Sequence, residues 1–320
     1  CGHYHDDGGY ILTAKSLAEG DGYRLINFPD NLSQTKYPFL YPCLLALIWK
    51  IYPIFPQNII IMQFVNISLA ATAIALCYLC LSNLGYFSRM VIFSSLLLCS
   101  TSPFFLYFTT SVLSEILFFF LCCLMLWLFD HLLNRKSNRT ALQYIVLGII
   151  ISLPYLCRSI GLIFIPIALL LLFINNHPLK WTLLGIVITT LPWVLWHIPS
   201  VSAGYDPIQT YYVDYTGWWM KYGIQNIIDI VIFNIIAIPL TTFSIPFWGI
   251  YKLIPNNLLV ISFLLGAIPF FYMIVHKQGN GSLRYFLLGY LLLVCIWPWP
   301  PGRFLVPIIP FILCYLFTVF

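Results

Sequence analysis

Charge is what this sequence has least of. Only 8% of its 320 residues are Asp, Glu, Lys or Arg, where a soluble domain carries about a quarter. A chain with so little polar side-chain surface cannot cover itself in water, which excludes a free-standing soluble domain. Also missing are the ten-residue segments of alternating hydrophobicity that mark an outer-membrane barrel. The chain starts at Cys1, inside a polar stretch, with no initiator Met and no signal peptide. The expectation is that it lacks an N-terminal helix that carries this stretch across the membrane. No dedicated metal-ligand cluster stands out. Of the ten cysteines, eight (Cys77, Cys80, Cys99, Cys122, Cys123, Cys157, Cys295 and Cys314) fall in apolar runs. Cys77 and Cys80 there read as small packing residues rather than a redox or zinc pair.

What is present is apolar length. The chain is 61% hydrophobic, its mean hydropathy is +0.92, and runs such as 58–81 and 258–275 reach the roughly 20 residues that cross a hydrocarbon core. The sequence predicts an all-α polytopic membrane protein. Its nine expected spans are 58–81, 91–110, a third ending near Phe129, 142–157, 160–174, 182–199, 258–275, 285–298 and 304–320. Four regions follow: 1–56, an outer loop with interfacial helices; 57–199, transmembrane helices; 200–257, an outer aromatic loop and an interfacial or re-entrant segment; and 258–320, the C-terminal helices.

Short loops rich in Lys and Arg mark the cytoplasmic side. The loop HLLNRKSNRT, with Arg135, Lys136 and Arg139, therefore fixes the orientation, and Lys180, Lys277 and Arg284 agree with it when 227–256 is read as interfacial or re-entrant. Nine of the ten acids then face the other side, only Asp130 being inside. Acids contribute little to topology, so their gathering on one face suggests a site there.

Asp6 and Asp7 precede a helix expected over Tyr10–Glu19. Adjacent acids at such a position can simply cap a helix and complement its dipole, but Gly8 and Gly9 after them permit close backbone approach. Lys36, Arg158 and Arg303 can each be a membrane-rim anchor. They also suit a lipid phosphate, an arginine through its planar fork. Glu115 is ordinary as an acid at a helix start and less ordinary at the rim of the hydrocarbon. The run QTYYVDYTGWWMKY (209–222) reads as an interfacial Trp/Tyr belt, or as a surface that stacks on sugar or covers a lipid-facing groove. Outward carboxylates can act as a general base toward a hydroxyl or amine.

DDGGYILTAKSLAEGDGYRL followed by TKYPFLYPCLLAL resembles the first outer loop of membrane glycosyltransferases of the GT-C fold. These polyprenyl-phosphate-sugar-dependent enzymes include relatives of the protein O-mannosyltransferases and the aminoarabinose transferases. Asp6, Asp7, Tyr10, Ala14, Leu17, Gly20, Tyr37 and Pro38 match the pattern, and Phe39 stands where a second proline is usual. LSEILFFFL (113–121), CRSIGLIFIP (157–166) and WPWPPGRFLVPIIPF (297–311) resemble further segments of that family, in its order.

The resemblance implies a GT-C-like bundle and a polyprenyl-phosphate sugar donor at the non-cytoplasmic membrane face. The acceptor would be a lipid, a glycan or a protein. Asp6 would be the catalytic base, with Asp7 as partner. Lys36, Arg158 and Arg303 would hold the donor phosphate, Glu115 would position the acceptor or a metal, and Tyr10 and Tyr37 would line the substrate groove. Metal dependence varies among such enzymes, so a divalent cation stays open. Membrane lipid is an expected partner and nucleic acid is not. The rival classes are a transporter, whose ionisable groups would sit near the midplane, and a non-catalytic lipid-binding protein, which would account for the rim cations but not for the acid pair.

Overall fold

A computed structural model describes residues 5–28, 30–134, 139–201, 207–214, 226–245, 255–275 and 282–319. The helix at the head of the chain, α1, runs His5–Glu19 and so begins five residues before the expected Tyr10. Asp6 and Asp7 lie in its first turn, where negative charge suits the helix dipole. The helix ends where Gly20 and Gly22 take φ of +91° and +85°. There Ser16 accepts backbone bonds from Gly20 and Asp21 and donates its hydroxyl to the Gly22 carbonyl. A two-residue antiparallel ribbon follows, β1 (Arg24–Leu25) with β2 (Leu32–Ser33), in register Arg24 to Ser33. Then comes α2, Leu40–Ile51, inside the expected short helix. Buried Tyr10, Ile11 and Ala14 of α1 join Tyr41 and Leu45 of α2 in one apolar cluster.

The bundle is built on α6, Glu115–Asn134. In its apolar window Glu115–Leu132, 72% of residues are buried, against 22% for α3, Asn58–Leu84. An apolar helix buried on most sides is a core helix, and one exposing most of its surface faces lipid. Phe64 and Leu79 of α3 are accordingly exposed. The closing helix, Gly302–Val319, is 67% buried and is the second core element. The chain is a multi-pass integral membrane protein.

Six helices among the described residues are long and apolar enough to cross a membrane: Asn58–Leu84, Glu115–Leu132, Leu179–Ile198, Ile227–Ser244, Asn256–Val275 and Gly302–Val319. A seventh span arises if Arg89–Thr101 and Pro103–Thr110, bent by 61°, count as one. The expected count of nine is not reached on length and composition, for two local reasons. Ser102 is extended ahead of Pro103, because a proline disfavours the helical region for its predecessor. The expected spans 142–157, 160–174 and 285–298 are the shorter apolar helices Ala141–Cys157, Ser159–Ile174 and Ser282–Ile296. Within the segment expected to be interfacial or re-entrant, 227–244 forms a continuous helix of 18 residues with Pro239 inside it. Arg135, Lys136, Lys252 and Lys277 lie outside the described residues.

The helices Ala141–Cys157 (α7) and Leu179–Val201 (α9) meet through small residues. A Cβ on Gly148 would stand 2.1 Å from the Thr182 carbonyl oxygen, and one on Gly185 would stand 2.2 Å from that of Ile145. Close backbone approach through glycine is a common packing device where lipid supplies no hydrophobic drive. Gly148→Ala is therefore expected to destabilise the protein by about 1–3 kcal/mol, measured as a lowered unfolding midpoint in detergent. An unchanged midpoint would mean that the helices do not meet this closely.

Candidate functional site

Five segments of the sequence meet at one end of the bundle, and the local fold explains why each arrives there. Asp6 rides on the first turn of α1. Tyr37 lies in the turn before α2, its carbonyl held by the Tyr23 hydroxyl at 2.8 Å. Its ring packs over Gly9, where a Cβ would be 3.3 Å from the ring. Gly9 thus makes the close approach anticipated for the glycine pair, whereas a Cβ on Gly8 would meet open space. Arg158 sits between α7 and a short turn, Ser159–Ile163. Gly161 permits that reversal, because a Cβ on it would lie 2.5 Å from the Pro154 carbonyl carbon. Glu115 starts α6, and Arg303 lies in the first turn of the closing helix.

The side chains form a continuous chain of charge. The Tyr37 hydroxyl donates to Asp6 Oδ1 at 2.6 Å. Arg303 Nη1 reaches Asp6 Oδ2 at 2.6 Å, while its Nε reaches Glu115 Oε1 at 2.6 Å. Arg158 Nη1 lies 2.7 Å from the same Glu115 oxygen and 3.4 Å from Ser114 Oγ. Tyr10 closes the group through its hydroxyl, 2.9 Å from Ser114 Oγ. Glu115 is fully buried, whereas the Asp6 side chain is 23% exposed and that of Arg303 19%. The cluster is anchored in protein at its glutamate end and open at its aspartate end.

Lys36 stands beside this chain in a different setting. Its ammonium donates to the Tyr211 carbonyl at 3.1 Å. It lies 4.3 Å from the Tyr211 ring centroid, 5.3 Å from that of Tyr37 and 5.9 Å from that of Trp299. Three rings around one cation supply cation–π attraction. Among the described residues Lys36 belongs to no ion pair. Backbone bonds fix its position: Thr35 donates to the Val213 carbonyl through both its amide and its hydroxyl, and the Trp196 indole donates to the Gln34 carbonyl.

Burial by itself would raise the Asp6 carboxyl, but Arg303, the Tyr37 hydroxyl and Lys36 outweigh it and hold Asp6 below the ordinary carboxylate value. Asp6 is therefore an anion throughout the neutral range. Burial draws the Lys36 amine below its usual value, with Asp6 opposing and Arg303 adding to the effect. The Tyr37 phenol is pushed well up, first by burial and then by the Asp6 charge. It stays a hydrogen-bond donor.

The structure brings together Asp6, Tyr10, Lys36, Tyr37, Glu115, Arg158 and Arg303. Asp7, next to them, is buried and accepts the Gly8 amide at 2.7 Å. Glu115 was expected to position an acceptor or a metal, and the structure sets two arginines, Arg158 and Arg303, on it. No three His, Cys, Asp or Glu side chains converge as a metal would require among the described residues. Three further participants were not singled out by the sequence reading. Ser114 was visible only as the residue before Glu115, Trp299 only as part of WPWPPGRF, and Tyr211 only as part of an aromatic belt. Residues 215–222 of that belt lie outside the described residues.

Fold and cluster define a class: a helical membrane protein whose acids and cations are assembled at one end of its bundle. No family model matches the sequence, and no curated protein matches it. Among solved structures, the chain is similar to ArnT from Cupriavidus metallidurans, crystallised with undecaprenyl phosphate, with a TM-score of 0.56 and 12% identity. That likeness covers 99% of this chain and 55% of ArnT, so the chain spans little more than half the length of that protein. At this identity the likeness shows the fold, which is GT-C-like.

Proposed function

We propose that the chain is the membrane core of a glycosyltransferase that moves a sugar from a polyprenyl-phosphate carrier to an acceptor at the non-cytoplasmic face. The observation that supports it most is the contact of Asp6 with Arg303, 297 positions away, inside a cluster that also holds Arg158 and has Lys36 at its edge. In this reading Asp6 is the base and Arg303 a phosphate-binding group, and their contact puts the two within one side chain's reach, as transfer from a phosphate-linked sugar needs. That ArnT, whose fold this chain shares, is bound to undecaprenyl phosphate agrees with such a carrier.

In the proposed step, Asp6 removes the proton from the acceptor hydroxyl or amine as that atom bonds to the anomeric carbon. The bond between that carbon and the phosphate oxygen breaks, the electron pair leaves with the polyprenyl phosphate, and the configuration inverts. Lys36 is the cation in the group not already committed to a carboxylate, so it takes the phosphate first. Developing charge on the leaving phosphate is stabilised by fixed cations in a poorly hydrated setting. Tyr10 and Tyr37 line the sugar side of the groove.

The orientation rests on α6. It starts at Glu115, in the cluster, and ends near the basic loop, where Arg139 donates to the carbonyls of His131 and Leu132. A helix of 20 residues spans about 30 Å, so basic loop and cluster lie on opposite sides of a bilayer. With the basic loop cytoplasmic, the cluster faces outward. In this reading residues 1–56 are the outer loop with the catalytic acid pair, 57–199 and 258–320 carry membrane helices, and 200–257 hold the outer aromatic loop together with the apolar helix 227–244.

The reading is tested by reconstituting the full-length protein that carries this chain in liposomes with radiolabelled polyprenyl-phosphate sugars and a pool of lipid and glycan acceptors. Label is expected to leave the carrier, and Lys36→Ala is expected to raise the donor KM by tenfold or more, about 1.4 kcal/mol of binding. If folded wild-type protein releases no label from any donor, with acceptors shown competent by a second transferase, the transport or lipid-binding reading takes its place.

A further inference from the structure

We infer that Arg303 is a latch on the base: without donor it holds Asp6, and the phosphate of an arriving carrier lipid takes its place. This rests on the transferase reading above and adds to it an order of events.

The geometry points to exchange at one end of the guanidinium. Both Asp6 oxygens are engaged, Oδ1 by the Tyr37 hydroxyl and Oδ2 by Arg303, each at 2.6 Å. A carboxylate held by two short bonds, one of them to a cation, is a poor proton acceptor. Arg303 is not held equally at its two ends. Its Nε is bound to Glu115, which is fully buried and also engaged by Arg158. Its Nη1 is bound to Asp6, whose side chain is 23% exposed. The Asp6 bond is therefore the one a ligand can reach and replace.

A phosphodiester adds one negative charge, which takes the group from two anions (Asp6 and Glu115) against three cations (Lys36, Arg158 and Arg303) to three of each. Planar, forked donors suit phosphate as well as carboxylate. Lys36, whose charge already acts on both Asp6 and Arg303, supplies a second contact. Once Arg303 turns to phosphate, Asp6 keeps only the Tyr37 bond and regains basicity. Transfer then neutralises Asp6 by protonation and increases the charge on the leaving phosphate, so nothing competes for Arg303 until the product departs. Loss of the proton lets the latch close again. Donor therefore binds before acceptor.

The groups acting on Asp6 are Arg303, Tyr37, Lys36, Tyr10 and Tyr211, with Glu115 on the far end of Arg303 and Arg158 beyond it. Of these, the latch assigns the change to Arg303. The test reads Asp6 without turnover. A hydrophobic carbodiimide labels protonated carboxyls, and its pH profile at Asp6 is followed by peptide mass spectrometry. The full-length protein is compared with and without polyprenyl monophosphate that carries no sugar, and bound lipid is counted.

The lipid is expected to raise the labelling midpoint by about one pH unit or more. Arg303→Gln is expected to show that raised midpoint with no lipid present. Tyr37→Phe is expected to raise the starting midpoint yet keep the lipid response. Should Arg303→Gln fail to fold, Arg303→Lys takes its place, since one ammonium cannot fork between Asp6 and Glu115. Lipid that binds without moving the wild-type midpoint overturns the latch and leaves the donor reading standing. A wild-type midpoint in the lipid-free Arg303 variant overturns the latch as well. Lipid that does not bind removes the donor reading, and the latch with it.

Discussion

Asp6→Asn is expected to lower the turnover of sugar transfer by about 10²–10⁴-fold, the usual contribution of a positioned general base, in a protein that still folds. The substitution keeps size and shape, and its amide oxygen can still accept the Tyr37 hydroxyl that now lies 2.6 Å from Oδ1. The other position turns unfavourable, because an amide nitrogen would face Arg303 Nη1, donor against donor. Arg303 keeps its bond to Glu115 and Arg158 is untouched, so the loss falls at the open end of the cluster. Proteoliposome transfer assays, with thermal unfolding as the check on folding, measure both parts. Equal transfer by wild type and variant would clear Asp6 and move the role of base to Asp7 or Glu115.

The largest stability effect is expected at Glu115. Its Oε1 is the shared counter-ion of Arg158 and Arg303, at 2.7 Å and 2.6 Å, and it is fully buried. Glu115→Ala takes from two neighbouring guanidinium groups the buried counter-ion they share, leaving Arg158 facing the Ser114 hydroxyl and Arg303 with Asp6. Removing one member of a buried ion pair typically costs about 3–5 kcal/mol, because the remaining charge is stranded without water. The variant is expected to unfold at a markedly lower temperature in detergent or to fail to accumulate.

A second substitution separates charge from shape. Glu115→Ala combined with Arg158→Met should be less damaged than the two single changes added together, since the pair couples through contact. Strict additivity would mean that the carboxylate contributes nothing through Arg158. A stable Glu115→Gln protein that binds donor yet loses acceptor affinity would return Glu115 to the acceptor-positioning role that the family resemblance implies.

The length of a span was less legible than its existence. Apolar runs at 91–110 and 160–174 were both expected as single spans, yet the first is bent at Ser102–Pro103 and the second opens as a tight turn around Gly161. Hydropathy averages over such breaks, whereas backbone sterics act at single residues. The 227–244 helix shows the opposite case. Asp229, Pro239, Pro246 and Lys252 interrupt the apolar run 227–256 in sequence, but Pro239 is buried against a neighbouring helix whose Gly266 comes close enough to its carbonyl that a Cβ would be 2.0 Å away. A partner that fits the kink removes the reason for the helix to break.

Composition by itself determined that this chain lies in a membrane and spans it with helices, because scarce charge and long apolar runs admit no other way to satisfy the backbone in lipid. Local pattern went further for the polar head of the chain, where acids, glycines and a Tyr-Pro turn appear in close succession. Tertiary structure alone decided which charges meet. Nothing periodic in the sequence links Asp6 to Arg303 or sets two arginines on one oxygen of Glu115, since contacts between residues hundreds of positions apart depend on how helix ends are brought together. The same packing decided that Lys36 lies among three aromatic rings rather than against a carboxylate. It left the aspartate end of the cluster open and closed the glutamate end in protein.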